Sequence, residues 1–126
     1  MEETDVKTIV KTAQARWNKA FNSGDAAAVA ELYTADGAVL PPMHAPVKGT
    51  RAIADFWMGL ISAGVKDHDI ELHDAQGAGD VAYSNGKWSA TGAAEDGSRV
   101  RFEGTIVTIL RRQGDGSWKT CLHIWN

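Results

Sequence analysis

The sequence predicts an α+β fold in which long antiparallel strands curve over helices. Three observations carry this. Helical periodicity fills the first half of the chain, strand-like runs fill the second, and short glycine-rich connectors separate those runs. Helices followed by a meander of hairpins is an α+β order, since parallel units would need a long crossover between successive strands.

The first helix is expected over residues 4–22. Val6, Ile9, Val10, Ala13, Trp17, Ala20 and Phe21 recur at three- and four-residue steps and make one apolar stripe. Ser23-Gly24 ends it, and Asp25 caps a short second helix over 26–33 that buries Val29 and Leu32. Residues 34–37 read as a turn, and 38–40 as a short strand stopped by Pro41-Pro42, because proline lacks the ladder donor. A loop through His44 leads to a third helix. Thr50 is expected to cap it, Ile53, Phe56, Trp57, Leu60 and Ile61 to be buried by it, and Gly64 to stop it. Four strands follow, over 65–76, 81–91, 99–111 and 118–125. Gly86 and Gly104 fall inside strands, where bends or bulges are expected.

Side-chain alternation then assigns faces. His68, Ile70 and Leu72 share one face of the first long strand, with Asp67, Asp69, Glu71 and His73 on the other. In the last strand Trp118, Thr120, Leu122 and Ile124 oppose Lys119, Cys121, His123 and Trp125. The first set of each strand is expected to meet the helices. A second, partly apolar face carrying Cys121 and Trp125 points to a homodimer through the convex side of the sheet.

Composition narrows the function. A chain of 126 residues suggests a single domain, 1–126, and a net charge of −3 gives no basic face for nucleic acid. One cysteine precludes an intrachain disulfide and a multi-cysteine zinc site. No run is apolar for long enough to span a membrane, and the acidic, amphipathic N-terminus is wrong for a signal peptide, so a cytoplasmic protein is expected. Five tryptophans are many for this length and suit a pocket or an aromatic core.

Three stretches resemble the nuclear transport factor two-like superfamily, in its SnoaL-like branch near the ketosteroid isomerases and polyketide cyclases. They are RWNKAFNSGDAAAVAELYTADGAVL at 16–40, PVKGTRAIADFW at 46–57 and DGSWK at 115–119. The resemblance implies a cone, or cystatin-like roll: a curved, mostly antiparallel sheet wrapped over three helices around an apolar pocket. It implies no cofactor, and dimers through the convex sheet face. Ketosteroid isomerases place an aspartate base just after the first short strand and an oxyanion-binding tyrosine in the first helix. Here the first place reads Val39-Leu40-Pro41-Pro42-Met43 and the second Arg16-Trp17. Histidines are frequent in the final strand of related SnoaL-like proteins.

The expected ligand is a small apolar organic molecule. Trp17, Trp57, Trp88, Met43, His44 and Leu122 are the residues expected to line its pocket. His68 is the expected acid–base group, by its parity with Ile70 and Leu72, and Tyr83 joins it as a hydrogen-bonding phenol if a bulge at Gly86 brings it to the face of Trp88. No metal site is expected, because His68 and His73 face opposite ways and Asp67, Asp69 and Glu71 have Arg99 and Arg101 available as ion-pair partners. Three function classes fit: an isomerase, cyclase or hydratase acting on a carbonyl or polycyclic substrate, a non-catalytic binder, and an oligomerisation module.

Overall fold

A computed structural model describes residues 3–126; Met1 and Glu2, at the acidic N-terminus, lie outside the described residues. Its elements are α1 (Glu3–Asn22), α2 (Ala26–Glu31), β1 (Tyr33–Leu40), β2 (Val47–Lys48), α3 (Thr50–Ser62), β3 (Lys66–Ala78), β4 (Val81–Ala93), β5 (Arg99–Arg112) and β6 (Trp118–Trp125). The strands form one open sheet in the order β2-β1-β6-β5-β4-β3. All neighbours are antiparallel except β1 and β6. This is the α+β roll that the sequence predicts, with β2 added.

The stripe on α1 is buried as its spacing requires, and it divides between two clusters. Val6 and Val10 pack with Ala75, Ala82 and Leu110. Trp17 and Phe21 pack with Val29, Tyr33, Val39, Ile53 and Trp57. Asp25 caps α2, its carboxylate accepting from the Ala28 amide at 3.0 Å. For α3 the cap is Gly49 rather than Thr50, with φ of 89° and no side-chain hydrogen bond, and Thr50 is the first helical residue. Gly64, at φ of 93°, closes α3 as expected, and the Val65 amide returns to the Leu60 carbonyl at 3.1 Å.

Local irregularities in three strands set which side chains face the helices. In β1 the expected turn at 34–37 is an irregular stretch inside a longer strand. Tyr33 pairs with Thr120 and Ala38 with Leu122, so the strand begins where the short helix was expected to end. In β3 the register against β4 shifts between Leu72 and Asp74, leaving His73 as the extra residue. Gly86 is the partner of Leu72, and a Cβ there would collide with the Glu71 carbonyl oxygen. The bend expected near Gly86 is therefore made by its neighbouring strand. In β6, Leu122 pairs with Ile109 but Thr120 pairs with Leu110, so Cys121 is the extra residue and the facing reverses beyond it.

Candidate functional site

The reversal at Cys121 decides the chemistry of the interior. Before it, Trp118 and Thr120 face α1, as parity predicts. After it, His123 and Trp125 face inward, and Leu122 and Ile124 turn to the outer side. His123 is 4% exposed and packs on Trp17, Trp57 and Trp125. Trp125 stacks on Trp57 with ring centroids 5.2 Å apart. Both residues were expected on the convex face, and Leu122 was expected in the pocket, so all three assignments are corrected.

Two cavities abut at this point. The first, of about 390 Å³, opens between the Pro41-Pro42 loop, α3 and the sheet. Phe56, Trp57, Trp88, Phe102 and Trp125 give it an aromatic wall, and His44, His68 and His123 also line it. Among the described residues no carboxylate, lysine or arginine lines this cavity. The second, of about 330 Å³, lies between α1 and the sheet, and Ile106 and His123 belong to both. Trp17 lines the second cavity and backs the first through its edge contact with Trp57 at 4.9 Å.

His68 lies where sequence parity places it. Asp67, at φ of 56°, and a register shift between Lys66 and Asp69 form a bulge at the start of β3 that aims the imidazole at the cavity. Helix α1 clamps this point. Asn22 donates to the His68 carbonyl at 3.0 Å and accepts from its amide at 2.7 Å. Asn18 Oδ1 lies 2.7 Å from His68 Nδ1. An amide oxygen only accepts, so Nδ1 carries the proton and Nε2 of the neutral ring is an acceptor. The ring lies parallel to Trp88, with centroids 6.1 Å apart, and 4.5 Å from Trp17. Burial lowers its pKa to about 4, partly opposed by the charge of Asp69.

His123 is held in the opposite way. Its Nδ1 lies 2.7 Å from the Tyr33 hydroxyl, which accepts from Trp17 Nε1 at 3.0 Å. Trp57 Nε1 is buried without a hydrogen bond of normal geometry, yet its N–H is close enough to favour negative charge on the same phenol oxygen. Indole nitrogens only donate, so the phenol proton is left for His123 Nδ1. The reverse arrangement would strand a buried hydroxyl proton at a cost of about 1–3 kcal/mol. His123 therefore carries its proton on Nε2. Burial, reinforced by His68, lowers its pKa to about 3, and burial raises that of the Tyr33 phenol. Both rings are neutral near pH 7, one offering an acceptor and the other a donor.

The remaining expected site residues divide. Trp57, Trp88 and His44 line the first cavity. His44 stands at its mouth against Phe56, 5.7 Å away, with Nδ1 donating to the Ala45 carbonyl at 2.7 Å. Gly104 makes room for Trp88, whose Nε1 donates to the Asn126 carbonyl at 3.0 Å; a Cβ at Gly104 would collide with that carbonyl. Tyr83 is 48% exposed on the outer face, because β4 runs in unbroken register with β5 and no bulge turns it inward. Met43 is fully exposed, at φ of 56°. Sequence reasoning missed Tyr33, which lay in the expected short helix, and Phe56 as a cavity wall. The one signal for His123 was the frequency of histidines in the final strand of the family it resembles. No group of three or more possible metal ligands occurs among the described residues, and no helix is long and apolar enough to cross a membrane.

The chain belongs to the SnoaL-like domain family, whose sequence model matches residues 15–120. No curated protein sequence matches it significantly. Among solved structures it is similar to a ketosteroid isomerase-like protein from Erwinia carotovora atroseptica, at 23% identity and TM-score 0.82 over 94% of this chain and 92% of that one. An NTF2-like protein with a cystatin-like fold from Novosphingobium aromaticivorans gives 22% identity and TM-score 0.81, covering 97% and 81%. A protein from Catenulispora acidiphila in complex with S-DNPA gives 18% identity and TM-score 0.80, covering 97% and 92%. At these identities the likeness is one of fold.

Proposed function

We propose that this protein binds a small, flat, largely apolar organic molecule in the aromatic cavity. The observation that supports this is the wall of Trp57, Trp88, Trp125, Phe56 and Phe102 around a space of about 390 Å³ that, among the described residues, no carboxylate, lysine or arginine lines. Such a surface gains by burying rings and has few polar groups to desolvate. The related Catenulispora acidiphila protein, which was solved with S-DNPA, is in keeping with it. The test is quenching of tryptophan fluorescence by flat apolar probes such as steroids or aromatic polyketides. Saturable quenching that Trp88→Ala weakens is expected. Probes that bind equally well to the Trp88→Ala protein, or do not bind at all, would overturn the proposal.

Proton transfer on a carbonyl or polycyclic compound, of the isomerase, cyclase or hydratase kind, is the second reading. His68 favours it, as a neutral imidazole in the cavity wall with Nδ1 anchored by Asn18 and Nε2 without a partner among the described residues. Hydrogen–deuterium exchange at the α-carbon of a bound flat ketone would then exceed the buffer rate, and His68→Gln would abolish the excess.

The protein is further proposed to form a homodimer through the outer face of the sheet. With Trp125 turned inward, that proposal rests on Tyr83, Val107, Ile109, Leu122 and Ile124, which alternate with the buried positions of β4, β5 and β6.

A further inference from the structure

Of the three histidines that line the aromatic cavity, His68 and His123 differ in what they offer, and this defines a ligand. The inference rests on the binding proposal above. Both rings pack on the same indole, that of Trp17, at 4.5 Å for His68 and 5.8 Å for His123, and both line the aromatic cavity. In each ring Nδ1 is engaged, by Asn18 and by Tyr33. Neither Nε2 has a hydrogen-bond partner among the described residues, and neither is among the fully buried polar atoms left without one. Apart from His44 at the mouth, the cavity's remaining wall is almost entirely hydrocarbon and aromatic ring, so these two nitrogens are the main directional polar groups of its interior.

We propose that the cavity selects ring compounds that present an acceptor oxygen, such as a carbonyl, to His123 and a hydroxyl to His68, because the two imidazoles are locked in opposite tautomers. The lock lies outside the cavity wall. The chain from Trp17 Nε1 through the Tyr33 hydroxyl to His123 Nδ1 leaves an N–H at Nε2. The Asn18 oxygen on His68 Nδ1 leaves a lone pair at Nε2. Two identical side chains thereby read opposite groups. A ligand with its oxygens exchanged would set the carbonyl lone pair against the Nε2 lone pair of His68 and leave both unpaired, even though its hydroxyl could still accept from His123. Tyr33 and Asn18 are then positioning residues for specificity, acting through the histidines.

The tautomers are read first, without ligand, from the imidazole nitrogen shifts and long-range couplings of the ¹⁵N-labelled protein at pH 7. The proton should be on Nε2 of His123 and on Nδ1 of His68. Binding is then measured for four compounds that share one skeleton: tetralin, 1-tetralone, 5,6,7,8-tetrahydro-2-naphthol and 6-hydroxy-1-tetralone. Each matched oxygen should tighten binding about fivefold over tetralin, in line with a net hydrogen bond. Tyr33→Phe should erase the preference for the carbonyl and keep that for the hydroxyl, and Asn18→Leu should do the converse. A reversed tautomer at either histidine overturns the inference whatever binds. Equal affinity for all four compounds also overturns it while leaving the aromatic-cavity proposal intact. Failure of all four to bind, tetralin included, overturns both.

Discussion

Tyr33, at the start of the first strand, and His123, near the end of the last, are joined by a hydrogen bond of 2.7 Å inside the core. The two strands lie side by side and parallel, so this bond ties the chain's first strand to its last. Replacing Tyr33 with Phe would remove the donor to His123 Nδ1 and the acceptor for Trp17 Nε1 together. Both partners would stay buried, so a loss of about 2 kcal/mol is expected, seen as a lower denaturant midpoint at unchanged slope. A variant as stable as the wild type would show that the bond adds nothing.

Acid should destabilise the protein above the pH range in which its carboxylates titrate. In the unfolded chain both histidines titrate near 6.5, whereas folded His68 and His123 do so at about 4 and about 3. Their folded pKa values are depressed, so their neutral forms contribute full stability above pH 6.5. As the pH falls below that, the unfolded chain takes up protons that the folded chain refuses, and stability drops. The slope is at most about 1.4 kcal/mol per pH unit for each histidine. It ends near pH 4 for His68 and continues to about pH 3 for His123. Melting temperatures measured between pH 8 and 4.5 should be flat above 6.5 and fall below it, and His68→Gln should roughly halve the fall. A curve flat down to pH 5 would count against burial of both rings.

Much of this architecture is legible in the residues because it depends on local pattern. The α1 stripe, the Asp25 cap, the Gly64 stop and the inward parity of His68 follow from spacing and from backbone chemistry. The interior of the last strand is not legible that way. Alternation read through Cys121 puts Leu122 and Ile124 inside, and their apolar character makes that reading self-consistent. The extra residue at Cys121 exists only in the pairing of β6 with β5, and nothing local marks it. The same holds at His73: its bulge lies on β3, so Tyr83 on the uninterrupted β4 stays outside. A one-residue slip reverses every later side chain: the slip at Cys121 exchanges Leu122 for His123 and Trp125 in the interior, and the absence of one in β4 leaves Tyr83 outside.

Dimerisation should be visible in solution. Sedimentation at micromolar concentration is expected to give about twice the chain mass of 13.5 kDa. Ile124→Asp places a charge in the proposed interface without touching the cavity wall, and should yield a folded monomer. A wild-type monomer at that concentration would remove the outer face as an interface.

Steroid isomerisation should be negligible. Ketosteroid isomerases rely on an aspartate base just past the first strand. Pro41 and Pro42 occupy that place, and both line the cavity. Among the described residues no carboxylate reaches the cavity to take over the work. The base proposed for this cavity, His68, stands on β3, a strand at the far edge of the sheet from β1 and β2. A steroid seated for a base beside β1 would therefore present its acidic carbon to proline rings. A positioned general base is worth 10²–10⁴-fold, about 3–5 kcal/mol of barrier. The phenol does not compensate, because Tyr33 gives its proton to His123 and accepts from Trp17, with no face left for a substrate oxygen. An assay on a Δ5-3-ketosteroid, followed by the absorbance of the conjugated enone, should stay at the buffer rate. Turnover above about one per second would show that His68 reaches the steroid's acidic carbon after all.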